Sequence, residues 1–307
     1  MDACSNPSHG PQPSAGASLA PVYFISHGTS LHTMDTETEV SRMLRTEGES
    51  LMSRCQVTAV IVVSAHWFGS DVVITSAPRP FTIHDHPCQY LYGFNYTARG
   101  DPVLAGRIAA LLAAAGFSCK LDAERGWDHG AWLALAALLP TAPVPVVQLS
   151  LIPDDFDANV RLGGALACLR EEGVVILASG SITHDQHEFR RGFLSNFGFE
   201  TAMDGSLASK RKRRMALENA AVAPFSSEFD AWVESVLSDG SISISRRVSL
   251  LADYHKHRHG LQAHPEPSHF VPLFLAVGAS ALSDAPACTR VAKGFQYSLS
   301  MSAFRFN

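Results

Sequence analysis

Four histidines stand beside small polar residues at or near the ends of apolar runs. They are His27 in Ile-Ser-His-Gly-Thr-Ser, His66 in Val-Val-Ser-Ala-His-Trp, His184 in Gly-Ser-Ile-Thr-His-Asp and His269 in Pro-Ser-His-Phe-Val-Pro. Neutral imidazole is a metal ligand that suits zinc, iron, copper and nickel alike. Rings far apart in sequence can meet around one ion if strand ends deliver them to the same rim of a sheet, where ligands of open α/β folds bind. Three protein ligands with positions left open would mark a catalytic rather than a structural centre. Placement carries this reading, because the chain has 14 histidines in all. His9, His32, His187, His255, His257 and His259 read as ordinary surface or hydrogen-bonded residues.

The elements that must position these rings alternate along the chain. Pro21–Ile25 is a short apolar run that stops at Ser26-His27-Gly28. Val57–Val63 is rich in β-branched residues and ends at Ser64-Ala65-His66. Both predict a buried strand followed by a loop. Further strands are expected at Asp71–Thr75, Val144–Leu149 and Val174–Ala178, the last leading to His184. Helices are expected at Met34–Arg54, Pro102–Gly116, Ala131–Leu139, Ala158–Glu172, Phe229–Leu237, Ser249–His257 and Pro272–Ala279. This alternation implies a largely parallel or mixed sheet covered on both faces, in one domain from residue 21 to 307. Residues 78–96 hold Phe81, His84, Asp85, His86, Tyr90, Tyr92, Phe94 and Tyr96, and read as a structured, functional loop. His86 and Tyr92 are its candidates for contact with substrate.

The formal charge of −5 argues against general affinity for nucleic acid, and no apolar stretch is long enough to span a bilayer. Residues 1–20 lack Lys and Arg and are rich in Pro, Ser, Gly and Ala. They read as a disordered tail rather than a targeting segment. The six cysteines form no Cys-x-x-Cys pair, which fits reduced thiols in a cytoplasmic setting. Lys210-Arg211-Lys212-Arg213-Arg214 is a basic run, expected as a solvated helix face or loop, with an anion or partner patch as the alternative.

Taken together and in order, the motifs resemble the class III extradiol dioxygenases of the LigB-like superfamily, and within it the 4,5-DOPA extradiol dioxygenase-like branch. The residues that carry the resemblance are Ser26-His27-Gly28, Ser64-Ala65-His66-Trp67, His86-Pro87 with Tyr92-Gly93-Phe94, and Asp128-His129-Gly130-Ala131-Trp132. Pro145 to Ser150, Gly180-Ser181 with Thr183-His184, and His264-Pro265 with His269 to Pro272 complete the set. The resemblance implies an α/β/α sandwich with one mononuclear Fe(II) or Zn(II) site. It implies His27, His66 and His269 as metal ligands, and His184 as the active-site base with a further possible place at the metal. His129 would be a pocket histidine near substrate, with Asp128 either orienting it or capping the following helix.

The implied reaction opens the ring of a small catechol with dioxygen. A bound metal acidifies a phenol and brings reactants together, and a histidine with pKa near neutrality moves the proton. Two departures stand out. Ser268 occupies the position before His269 where the family carries an acid, so that Glu266 could substitute as hydrogen-bond acceptor or ligand. Asp185 follows His184 in place of the family's Asn and could raise its pKa. The same residues leave a zinc-dependent hydrolase or a non-enzymatic metal-binding or signalling protein as alternatives.

Overall fold

The central strands are buried throughout except for His66 and Phe68, which are half-buried, and alternate side chains enter two different cores. Val60 and Val62 face one, Ile61 and Val63 the other; Tyr23 and Ile25 alternate in the same way with Val22 and Phe24. That is the pattern of a sheet covered on both sides. The computed structural model describes residues 19–86, 89–197, 206–282 and 288–307. Most of the expected tail, residues 1–18, lies outside the described residues, as do Pro87 and Cys88. Ala20 is already buried, its N–H bonded to the Arg170 carbonyl at 3.0 Å.

The strands are β1 (Val22–Ser26), β2 (Ala59–Phe68), β3 (Val72–Thr75), β4 (Cys119–Asp122), β5 (Val146–Leu151), β6 (Val174–Gly180), β7 (Cys288–Ala292), β8 (Phe295–Gln296), β9 (Leu299–Ser300) and β10 (Ala303–Phe306). Eight of them form one sheet in the order β4-β3-β5-β2-β6-β1-β10-β7, and β8 pairs with β9 apart from it. The centre, β5-β2-β6-β1, is parallel; β3 runs against β5, and β10 against β1 and β7. Helices Glu39–Arg54 and His129–Leu138 pack on one face. Pro102–Ala114, Phe156–Leu166, Pro224–Ser238 and Val271–Ala279 pack on the other. The result is the expected three-layer sandwich with a mixed sheet.

Register levels the strand ends that matter. Ser26 of β1 stands opposite Gly180 of β6, and Ser64 of β2 opposite Ser179. The pairings of β1 and β2 with β6 therefore end at one level, and His27 and His66 emerge just past it at one rim. His66 differs from its expected place in a loop. β2 continues to Phe68, with its register against β5 shifting after Val63, so the ring projects from strand backbone.

The C-terminal strands do not show in the sequence pattern, because their serines break the apolar runs. These hydroxyls are buried and satisfied by a carboxylate. Asp230, 1% exposed, accepts hydrogen bonds from the Ser300 and Ser302 hydroxyls at 2.6 Å each and pairs with Arg290 at 2.7 Å. The Ser300 N–H in turn donates to the Thr183 hydroxyl at 2.7 Å, and Thr183 Oγ1 donates to the Ser298 carbonyl at 2.8 Å. This network fixes the backbone that carries His184.

The basic run is also more integrated than a solvated face. It lies in helix Leu207–Glu218, where Arg213 is buried and Arg214 pairs with Asp35 at 3.0 Å. No helix among the described residues is long and apolar enough to cross a membrane.

Removing one partner from a buried charged network leaves the others desolvated and unpaired. Asp230→Ala should therefore destabilise the protein by roughly 3 kcal/mol in denaturant unfolding. A loss below about 1 kcal/mol would contradict the anchoring role.

Candidate metal centre

Each ring of the cluster is held by its own element. The N–H of His27 donates to the Gly180 carbonyl at 3.0 Å, and its carbonyl accepts from the Thr33 hydroxyl. His269 ends the short helical turn Pro267–His269 that leads into Val271–Ala279, and its carbonyl accepts the Ser181 N–H at 2.9 Å. Gly180 permits this approach, because a Cβ there would collide with the His269 carbonyl. The turn is thereby docked onto the end of β6, beside the ends of β1 and β2.

One nitrogen from each of His27, His66 and His269 lies within 4.8 Å of the others. The Nε2 atoms of His27 and His66 are 3.3 Å apart. An ion bound tetrahedrally at roughly 2.0–2.1 Å from each imidazole would separate two ligand nitrogens by about 3.3–3.4 Å. The donor set thus fits a transition-metal ion of the kind three imidazoles select.

Hydrogen bonds behind the rings fix which nitrogen faces the centre. The Ser179 hydroxyl donates to the Gly130 carbonyl at 2.6 Å, since a carbonyl can only accept. Its oxygen lies 2.9 Å from His27 Nδ1 and must accept there, so Nδ1 carries the proton and Nε2 offers its lone pair to the centre. For His269 the Ser268 hydroxyl lies 3.3 Å from Nδ1. The residue that broke the family pattern therefore supplies a hydrogen-bonding partner itself. Glu266 is exposed and is not part of the cluster, which contains no carboxylate. Gly130 belongs to the same construction: a Cβ there would strike Ser64 Oγ and the His66 ring.

The other site candidates surround these three rings. His184 stacks on His269, with ring centroids 3.4 Å apart and planes 9° from parallel. It is not among the three converging ligands. Gln186 turns its carbonyl to Arg190 and its amide to His184 Nε2 at 3.1 Å. His129 lies on the opposite flank, 3.9 Å from His66 between ring centroids. His86 is 6.0 Å from His129 and 5.6 Å from Trp132. Tyr92 donates its hydroxyl to the His86 carbonyl at 3.0 Å and is 44% exposed, so His86 forms wall and Tyr92 rim.

Asp128 takes the capping role, one of the two expected of it, whereas Asp185 departs from its expected role. Asp128 caps the helix His129–Leu138 through the Ala131 N–H at 3.0 Å and accepts the Gln148 amide at 2.5 Å. The carboxylate beside His129 is instead Asp85, in sequence one polar residue among several of the aromatic loop. Asp185 caps its helix through the Glu188 N–H at 3.0 Å. It does not raise the pKa of His184. Burial, with His264 and His66 nearby, pushes that ring down to about 3 rather than leaving it near neutrality.

The whole cluster is held in the neutral, ligand form. Burial first, then the neighbouring histidines, sets His27 and His269 well below the ordinary histidine range. Burial and His129 bring His66 to about 4, against the opposing pull of Asp128 and Asp85. Burial and the adjacent His129 and His84 bring His86 to about 4.

A three-imidazole cup at the strand-end rim of an α/β/α sandwich, flanked by two further histidines, is a group that could hold a metal ion. Residues 21–302 match the family described as the catalytic LigB subunit of aromatic ring-opening dioxygenase, and the chain belongs to that family. A 4,5-DOPA dioxygenase extradiol from Beta vulgaris is 36% identical over 264 residues, covering 84% of this chain and 86% of the relative. One from Escherichia coli (strain K12) is 30% identical over 265 residues, with 84% of each chain covered. The crystal structure of an uncharacterized protein from Escherichia coli K12 is 26% identical, with a TM-score of 0.68 over 94% of this chain and 100% of that one.

Ser179→Ala removes the acceptor that fixes the His27 tautomer. Competition with a chelator should show zinc affinity falling about 10-fold or more; unchanged affinity would contradict the tautomer assignment. The pH dependence follows from the same burial. In the unfolded chain these rings take up a proton near pH 6.5, whereas in the folded metal-free protein they resist it. Below that pH the unfolded state binds more protons, so stability falls as the pH drops from about 6.5 towards about 4. The slope approaches about 1.4 kcal/mol per pH unit for each ring. Denaturant unfolding of the metal-free protein over that range checks the sign.

Proposed function

We propose that this protein is an Fe(II)-dependent extradiol dioxygenase that opens the ring of a DOPA-like catechol with dioxygen. The observation that carries the reading is the convergence of His27, His66 and His269 with His184 and His129 on either side of them. Membership of a ring-opening family and the names of the Beta vulgaris and Escherichia coli relatives support the substrate class.

In this reading His27, His66 and His269 hold the metal, which when bound acidifies the catechol hydroxyl and leaves positions for both reactants. The protein supplies the rest. His184 is kept neutral by burial, the form that accepts a proton. Its depressed pKa makes it a weak base, so it takes a proton only from a group already made acidic, and readily returns it. His129 approaches the substrate from the His66 side. His86 as wall and Tyr92 at the rim offer aromatic faces to a planar ring, and Trp132 packs behind His86. A cytoplasmic setting rests on the scattered cysteines, which form no Cys-x-x-Cys pair.

Anaerobic loading with Fe(II), followed by a catechol panel under air, should give oxygen uptake and a yellow ring-opened product. His184→Ala should lower kcat by about 10²-fold or more while metal affinity is kept. Ester or amide hydrolysis by the zinc form without oxygen use would favour a hydrolase instead. Turnover that survives His184→Ala would remove that residue from the chemistry.

A further inference from the structure

Asp85 reaches from the aromatic loop to both the backbone and the ring of His129. One of its carboxylate oxygens, Oδ1, accepts the His129 backbone N–H at 2.9 Å and also lies 2.9 Å from Nδ1 of the same ring. The ring contact lies off the line of the Nδ1–H direction, so it is a contact of charge and placement rather than an aligned hydrogen bond. A carboxylate charge 2.9 Å from a ring nitrogen favours the hydrogen on that nitrogen, because the N–H end of the imidazole dipole is positive and a bare nitrogen is its negative end. The Asp85 charge therefore selects Nδ1 over Nε2 as the nitrogen that carries the hydrogen. Nε2 is left as the ring atom available to the slot beside His66, whose ring centroid is 3.9 Å from that of His129.

The loop that carries Asp85 is built to hold this position. Ile83 N–H donates to the Trp127 carbonyl at 2.7 Å, and Trp127 N–H donates to the Phe81 carbonyl at 2.8 Å. The Trp132 indole N–H donates to the Ile83 carbonyl at 3.0 Å, and Trp132 is fully buried. These bonds pin residues 81–83 to both sides of the segment Trp127–Trp132, so Asp85 reaches His129 from a fixed backbone. Burial works against the Asp85 charge, yet contact with the His129 ring and backbone N–H outweighs it and brings the carboxyl pKa down to about 2.

We propose that Asp85 is a positioning residue: it locks the His129 ring with Nδ1 protonated, so that Nε2 alone is presented to the bound substrate. The kinetic consequence rests on the dioxygenase reading; the structural one does not. An Asp behind a catalytic imidazole acts through tautomer and orientation, and its loss lowers turnover far more than binding.

The test uses Asp85→Asn, Asp85→Glu, His129→Gln and the double variant D85N/H129Q in the zinc- and iron-loaded full chain. In the zinc form, the ring ¹⁵N resonances of His129 should show a single Nδ1–H tautomer in the wild type and both tautomers in D85N. D85E, which keeps the carboxylate, should restore most of the Nδ1–H form. Zinc affinity should change by less than about 3-fold in all of them, because none removes a metal ligand. In the iron form, D85N should lower kcat about 10- to 100-fold with KM little changed, and should cost nothing further in the H129Q background. An unchanged tautomer in D85N, a loss of zinc affinity in step with kcat, or effects that multiply in the double variant would overturn the proposal. Absence of catechol turnover in the wild type would count against the dioxygenase reading alone, with the tautomer measurement still deciding the role of Asp85.

Discussion

Three imidazoles must stay neutral and keep their lone pairs aimed at one point inside a protein. Everything distinctive in this structure serves that constraint. Left in water, each ring would be partly protonated near pH 6.5 and free to turn. Here burial disfavours the charged form, and crowding by other histidines disfavours it further. Ser179 and Ser268, lying against the outer nitrogens of His27 and His269, supply orientation. Affinity for a metal at this cluster would thus come from packing along the sheet as much as from the ligands themselves.

The sheet is what makes the convergence inexpensive. The pairings of β1 and β2 with β6 end at one level, so two ligands need only be residues just past that level. The third comes from a turn held against Gly180, and His184 comes from the segment just after β6. Glycine at 130 and 180 lets backbone lie where any side chain would displace a ring or the turn that carries one. The same rim receives His129 at the start of its helix, with Asp128 committed to the cap and Asp85 reaching across from the aromatic loop. Two carboxylates near one histidine therefore divide the work of starting the helix and placing the ring.

Much of this is legible in the sequence. An apolar β-branched run that stops at Ser, Gly or Ala beside a histidine describes the end of a buried strand, and that pattern alone places His27 on a rim. It places His66 there too, although its strand runs two residues beyond it. Motif order adds His129 and His269. What escapes is non-local. Asp85 and His129 are 44 residues apart, and nothing local distinguishes a carboxylate that reaches a ring from one that faces water. The strands after residue 287 escape because Ser300 and Ser302 look polar and exposed until Asp230 and Arg290 are seen to satisfy them. Ser179 does carry a signal: a hydroxyl inside the wholly apolar run Val174–Gly180 must find a partner, and His27 is that partner.

The central claim is that one ion sits on these three imidazoles. X-ray absorption of the zinc-loaded protein, with metal content measured per chain, tests it most directly. One zinc per chain is expected, with three imidazole nitrogens at about 2.0–2.1 Å, and that signature should be lost when His27, His66 or His269 is replaced by Ala. Sulfur in the coordination shell, a second zinc of equal affinity, or an unchanged spectrum after any of those replacements would contradict it.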